Sequence, residues 1–375
     1  MRDAWRAWRD RWARWRDATL SNPSFHAWAA QAPIVRLFAR REARAMFDLC
    51  AGFVYSQVLG VIVRLDVLEQ LRHGPVPMTR LRASLPLPPE GAQVLLDAAI
   101  ALRLLELRGR DAIGLGPRGA VLLANPGLRA MVLHHEMFYA DLQDPLAVLR
   151  GERHGTRLGQ YWAYAQSATP GALDEDAVAR YSALMSVSQD MVSQAVIHAY
   201  DFTRHRRLLD IGGGEGRFVI NVLDSAPALE GVVFDLPAVA ARALARLEAA
   251  GHAARADSVG GNFVTDALPA GADVVTLVRV LHDHDDEPAR RLLRNIRAAL
   301  PDGGRLVIAE PMIERGRGDV VGAAYFGMYL KAMGSGRPRT PEEVRRMLGE
   351  AGFAQVDVRP TSGPLPLTLV IASVN

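Results

Sequence analysis

Beyond Thr203 the chain alternates between short apolar runs and helix-spaced segments. RLLDIG (207–212), VVFDLP (232–237), VVTLVRVL (274–281) and RLVIAE (305–310) are nearly continuous in apolar residues, as strands buried on both faces tend to be. The stretches 216–225, 238–250 and 287–300 separate them and carry helical spacing. This alternation predicts a doubly wound, Rossmann-like α/β sheet. Thr340, Pro341 and Glu343 form a capping-box start for a further helix, which Gly352 is placed to end. Two last strands near 355–360 and 366–373, joined by SGPLP, predict a closing hairpin.

Ahead of that domain the pattern is helical throughout. Residues 120–200 show breaks at ANPG (124–127), LRGERHGTRLG (149–159) and ATPGA (168–172), with Tyr139, Tyr161, Trp162, Tyr164 and Tyr181 suited to interhelical packing. Between Ala45 and Arg110 the arrangement has a winged-helix look. Leu65, Val67, Leu68 and Leu71 make one apolar face, Thr79–Ser84 reads as a short helix, Gln93–Leu105 as a longer one, and Leu105–Leu115 as a β wing. The longest apolar run, Leu49–Val63, is too short to span a bilayer and includes Ser56 and Gln57, so a buried helix is expected there. Three segments result: an extension over 1–44, a helical domain over 45–200 and an α/β domain over 201–375.

The extension is distinctive. Trp5, Trp8, Trp12 and Trp15 recur at spacings of three and four, which puts them on one helix face. Arg2, Arg6, Arg9, Arg11, Arg14 and Arg16 fill much of the rest, beside Asp3, Asp10 and Asp17. Trp with Arg suits a membrane interface; the alternative is an arm packing its Trp face on a partner subunit.

At 375 residues and 23% charged, the composition is that of an ordinary soluble protein with room for two or three domains. A net charge of +3 gives no general case for nucleic-acid binding. The candidate recognition helix, with Glu90, Gln93 and Asp97 among Ala, Leu and Ile, lacks the cations a DNA groove requires. Cys50 is the only cysteine, which excludes an internal disulfide and a CxxC metal site and suits a reducing cytoplasm; no metal site is expected. Lys331 is the only lysine, and no secretory signal is seen.

The string LLDIGGGEGRF (208–218) leaves a strand and opens a helix, the context of a nucleotide turn. Gly212, Gly214 and Gly216 let the backbone turn sharply against a ligand. Asp210 at the strand end can hold an ammonium, and Asp235 at the end of the next strand can accept ribose hydroxyls. A nicotinamide dinucleotide is the competitor. The G-x-G-x-G spacing and the acid ahead of it, which would repel a pyrophosphate, favour S-adenosylmethionine. His282, in LVRVLHDHDDE (277–287), stands where a strand opens onto the cofactor face, and Glu310 ends the neighbouring strand. A carboxylate there can orient the imidazole through one nitrogen and leave the other free to accept a proton.

LLDIGGGEGRF, FDLP (234–237), VLHDHDDE (280–287), LPDGGRLVIAEPM (300–312) and GRPRTPEEVRRMLGEAGF (336–353) resemble, in order, the motifs of the plant-type and acetylserotonin-type O-methyltransferases. The likeness runs from about residue 45 to the end. It implies a homodimer, with a winged-helix dimerisation domain ahead of a catalytic domain that binds S-adenosylmethionine. It also implies His282 as general base with Glu310 beside it, Asp235 at the ribose, Asn262 and Phe263 near the adenine, and Leu236 and Arg279 in the cofactor site. Met185, Met328 and Met333 would line the acceptor pocket. The chain departs from the family at Pro338, where a second glutamate often flanks the histidine, at Asn262, where aspartate is usual, and at His282-Asp283-His284, where the third residue is tryptophan.

ARREARAMFDLCAGFVYSQVL (39–59) and the Trp/Arg leader resemble the carotenoid O-methyltransferases of purple bacteria, which act on the tertiary hydroxyl of hydroxyneurosporene or demethylspheroidene. That resemblance implies a lipophilic substrate, and the leader would bring the enzyme to the bilayer holding it. A soluble phenol or polyketide acceptor is the enzymatic alternative. A ligand-sensing winged-helix DNA-binding protein is the alternative of another class.

Overall fold

The computed structural model describes residues 2–33, 35–152, 155–160, 189–314, 320–362 and 367–374. Met185, Tyr161, Trp162, Tyr164, Tyr181 and the ATPGA break lie outside the described residues. The chain forms two compact units, Met1–Leu123 and Ala124–Asn375, whereas the sequence suggested divisions after 44 and after 200.

In the first unit, helices Arg2–Leu20 and Pro23–Gln31 are separated by Asn22, whose side chain accepts the Ser24 N–H at 2.9 Å. The four tryptophans of the leader are 65%, 54%, 48% and 65% exposed in chain order, and the Arg16 guanidinium lies 5.3 Å above the Trp12 ring. Helix Val35–Arg64 then runs for 30 residues across the expected boundary at 44. The expectation of a buried helix over Leu49–Val63 is corrected here. Ile62 and Val63 are its only buried residues, while Met46, Phe47, Leu49, Phe53 and Val54 face outward. By length and composition alone this helix could also cross a membrane. An apolar run reports what avoids water, not which surface covers it.

The rest of that unit follows the winged-helix pattern. Helix Met78–Ser84 precedes Pro89–Ala101, which starts at a proline because the first turn has no use for an N–H. Strands β1 (Val76–Pro77), β2 (Leu105–Arg108) and β3 (Ala112–Leu115) form an antiparallel sheet in the order β1-β3-β2. Leu81, Leu96, Leu105 and Ile113 are buried in this unit.

In the second unit the seven strands are β4 (Arg207–Ile211), β5 (Glu230–Asp235), β6 (Ala256–Gly260), β7 (Val274–Val278), β8 (Arg305–Glu310), β9 (Gln355–Pro360) and β10 (Thr368–Ser373). Their order is β6-β5-β4-β7-β8-β10-β9, parallel from β6 to β8 and antiparallel where β10 meets β8 and β9. The predicted hairpin forms, with β10 inserted between β8 and β9. Leu209, Val275, Leu277, Leu292 and Leu293 fill one face of the sheet; Phe218, Val219, Val233 and Leu369 fill the other. Fully burying each such side chain contributes about 1.5–3 kcal/mol, which makes the sheet a firm platform. From β4 the strands are added first outward through β5 and β6 and then on the other side through β7 and β8. The order of the strands therefore reverses between β4 and β7 while their direction does not, and the carboxyl ends of β4, β5, β7 and β8 surround the switch point where open α/β sheets take ligands.

Candidate active site

The glycine turn is built as its spacing implies. Gly212, Gly214 and Gly216 have φ of +66°, +57° and +80°, a region L side chains avoid. At Gly212 an added Cβ would lie 2.8 Å from the Val280 side chain. Asp235 ties the turn to the next strand: one carboxylate oxygen accepts the Gly214 N–H at 2.8 Å and the other accepts Leu236 N–H at 2.7 Å.

Asp210 is buried at the centre. Its Oδ1 accepts the Thr276 hydroxyl at 2.6 Å, and its Oδ2 is sealed from solvent without a protein partner. Burial, reinforced by the nearby Asp235 charge and opposed by the Thr276 bond, pushes this carboxyl up to about 7. An orphaned, electron-rich oxygen beside a glycine cradle suits a cationic ligand group, and the residues present fit S-adenosylmethionine in that respect. A cation favours the ionised carboxylate, so affinity for S-adenosylmethionine is expected to fall as pH drops through about 7. Titration calorimetry between pH 6 and 8 checks this (a window set about one unit either side of that value). A pH-independent dissociation constant would remove Asp210 from contact with the ligand's charge.

Asn262 closes a local turn, its Oδ1 accepting Val264 N–H at 2.9 Å while its own N–H goes to Asp266 at 2.8 Å. Phe263 packs edge-on against His284 at 5.1 Å. Arg279 leaves β7 with φ of +59°, a strained conformation for a residue with a Cβ. Its N–H donates to the Ala309 carbonyl at 2.9 Å, which ties it to β8.

His282 is buried on a short turn, Leu281–Asp283. Its Nε2 lies 3.2 Å from Asp283 Oδ1, and Nδ1 is buried without a protein partner. Burial pulls its pKa down, but the Asp283 and Glu310 charges outweigh this and leave it raised. The expected bond from Glu310 to the imidazole is replaced by a different one. Glu310 Oε1 accepts the N–H groups of Val280 at 3.2 Å, of Leu281 at short range and of His282 at 3.1 Å. The carboxylate thus shapes the loop, and Asp283 holds the ring.

The sequence reading missed the residues that fix this loop from outside. Arg339, 2% exposed, donates to the carbonyls of Leu281 and His284 and to Asp286, each at 2.8 Å. Arg337 donates its backbone N–H to the His282 carbonyl at 2.9 Å and its side chain to Asp286 at 3.2 Å. These arginines hold Asp286 down to about 2. Gly336 comes so close that a Cβ there would sit 2.1 Å from the His282 carbonyl oxygen. Pro338 stands between the two arginines, so this stretch anchors the histidine loop through its guanidiniums. The visible signal was the GRPRT string itself, with two arginines around one proline. Met333 is buried in a cluster with Phe138, Leu158, Tyr329 and Leu330, and Met328 packs on its border.

Residues 139–354 match the O-methyltransferase domain and residues 47–120 the O-methyltransferase dimerisation domain. The chain is 42% identical over 348 residues to the demethylspheroidene O-methyltransferase of Cereibacter sphaeroides, covering 93% of this chain and 91% of that one. It is 39% identical over 348 residues to the Rhodobacter capsulatus enzyme of the same name, covering 92% and 86%. Among solved structures, a methyltransferase of calicheamicin biosynthesis in its SAH-bound form superposes with a TM-score of 0.75 at 26% identity, covering 89% of this chain and 98% of that one.

Proposed function

Since the chain belongs to the O-methyltransferase family, we propose that it methylates the tertiary hydroxyl of an acyclic carotenoid of the demethylspheroidene or hydroxyneurosporene type, with S-adenosylmethionine as cofactor and His282 as base. The observation that carries the substrate is the likeness over nine-tenths of the chain to two demethylspheroidene O-methyltransferases.

Bound at the switch point, S-adenosylmethionine supplies a methyl group already activated by its sulfonium. Asp210 would hold its positive end, Asp235 and Leu236 the ribose, and Asn262 and Phe263 the adenine side, with Arg279 in the same site. Asp283 keeps a proton on Nε2 of His282, which leaves Nδ1 as the bare acceptor. An aliphatic tertiary alcohol is too weak an acid to ionise beforehand. Nδ1 would therefore take the hydroxyl proton as the oxygen bonds the methyl carbon and the carbon–sulfur bond breaks, its electron pair staying on the departing thioether. In-line positioning would supply much of the remaining acceleration. Met328 and Met333 supply apolar wall for the acceptor.

A carotenoid resides in a bilayer, and the leader suits contact with one. Residues 1–64 carry eleven arginines against five carboxylates, so this segment is more basic than the whole chain with its +3. Guanidiniums and exposed indoles together favour an anionic headgroup layer. The test incubates the protein with labelled S-adenosylmethionine, hydroxylated acyclic carotenoid in anionic vesicles, and soluble phenols. Label is expected in a methoxy-carotenoid; label in the phenols alone would overturn the substrate assignment. Deleting residues 1–30 should reduce vesicle flotation at unchanged cofactor affinity, and unchanged flotation would count against membrane contact.

A further inference from the structure

We infer that Phe326 is a positioning residue for the base: its ring fixes the plane of the His282 imidazole and favours the positive charge that ring acquires on taking a proton. This rests on the reading of His282 as base and adds a residue that neither motif nor family match assigns. The two ring centroids are 5.8 Å apart with planes tilted by 32°, and both side chains are buried. A cation within about 6 Å of an aromatic centroid is attracted to the negative ring face, the more so away from water.

The way Phe326 is held supports a dedicated role. It ends a π-helical segment, Val320–Phe326, that passes into helix Gly327–Met333. Such segments are rare and gather at functional sites. Two histidine–tyrosine pairs latch it to helix Pro126–Asp141: His135 Nε2 to the Tyr325 hydroxyl and His134 Nε2 to the Tyr329 hydroxyl, both at 2.8 Å. Burial pulls both histidines down, His134 to about 4, so each meets its tyrosine as a neutral ring. Tyr325 stands edge-on to Phe326 at 5.1 Å, and Tyr329 does so at 6.4 Å. The phenyl ring is thereby boxed against the imidazole.

The charged and titratable groups around His282 are Asp283 and His284 on its own loop, Glu310 on β8, Arg279 at the end of β7, and Arg339, which grips the loop carbonyls. Tyr325 flanks Phe326 on the π-helical segment. All of them remain in a Phe326→Leu variant of the full-length protein, which removes the aromatic face alone. Turnover with this variant is expected to fall about tenfold, within the range a cation–π contact covers, at unchanged cofactor affinity. The acidic limb of its kcat/KM profile should move to lower pH, because the imidazolium has lost a stabilising partner. Phe326→Trp should restore both. An unmoved acidic limb in Phe326→Leu, or equal losses in the leucine and tryptophan variants, would overturn the proposal and leave plain packing. Full turnover in His282→Ala would instead sink the base reading, which is a separate result.

Discussion

A His282→Ala variant is expected to lose about a hundredfold to ten-thousandfold in methyl transfer, the span that a general base typically supplies, while binding S-adenosylmethionine as tightly as the parent. The separation follows from the layout. Asp210, Asp235 and the glycine turn belong to β4, β5 and the loops after them, whereas His282 stands on the turn after β7. Removing the imidazole takes away the proton acceptor and leaves the cofactor cradle intact. Single-turnover rates with labelled cofactor, read beside a dissociation constant, check both halves; unchanged turnover would remove His282 from the base role. The sign of the pH dependence is also set. The His282 pKa is raised from 6.5, net of burial, by Asp283 and Glu310. The free base therefore accumulates only as pH rises through a value above 6.5, and the rate should climb over that interval.

Glu310→Ala is expected to damage stability as well as rate. One buried carboxylate oxygen gathers the N–H groups of Val280, Leu281 and His282. Deleting it strands three buried donors, each costing about 1–3 kcal/mol if left unmade. A total loss near 3 kcal/mol, at the low end of that range, would lower the melting midpoint by roughly 6–12 °C in a unit of this size. Turnover should fall with it, because the loop that aims His282 loses its anchor. Glu310→Gln keeps an acceptor oxygen and should recover most of the midpoint. Thermal melts and rates on the three proteins test this, and a midpoint in Glu310→Ala equal to the parent's would contradict the anchoring role.

Much of the α/β unit was legible because β4, β5, β7 and β8 are buried on both faces and spell that out as continuous apolar runs. The capping box at Thr340 was legible too, since it needs only local spacing, and both of its bonds form, at 2.8 and 3.2 Å. β6 escaped notice because Ala256–Gly260 is a short edge strand with exposed and half-buried polar residues and no apolar run. Within the site, Asp210, Asp235 and Glu310 could be placed because each lies at the end of a strand, and His282 because it follows β7 by four residues; strand ends meet at the switch point. The partner of Glu310 could not, since it depends on how the loop after β7 folds back onto the carboxylate. Arg339 was hidden by abundance: in a chain whose basic residues are nearly all arginine, the buried one reads like the exposed ones. Phe326 meets His282 across 44 residues of sequence, a separation that only the packed fold can close.

The outward apolar ridge on helix Val35–Arg64 falls mostly within the span that matches the dimerisation domain. Met46, Phe47, Leu49 and Phe53, each more than 60% exposed in the single chain, are the surface a second copy would cover if the dimer forms here. Dilution then becomes a perturbation in its own right. By mass action, a nanomolar solution and a micromolar one would then hold different populations of covered and uncovered ridge.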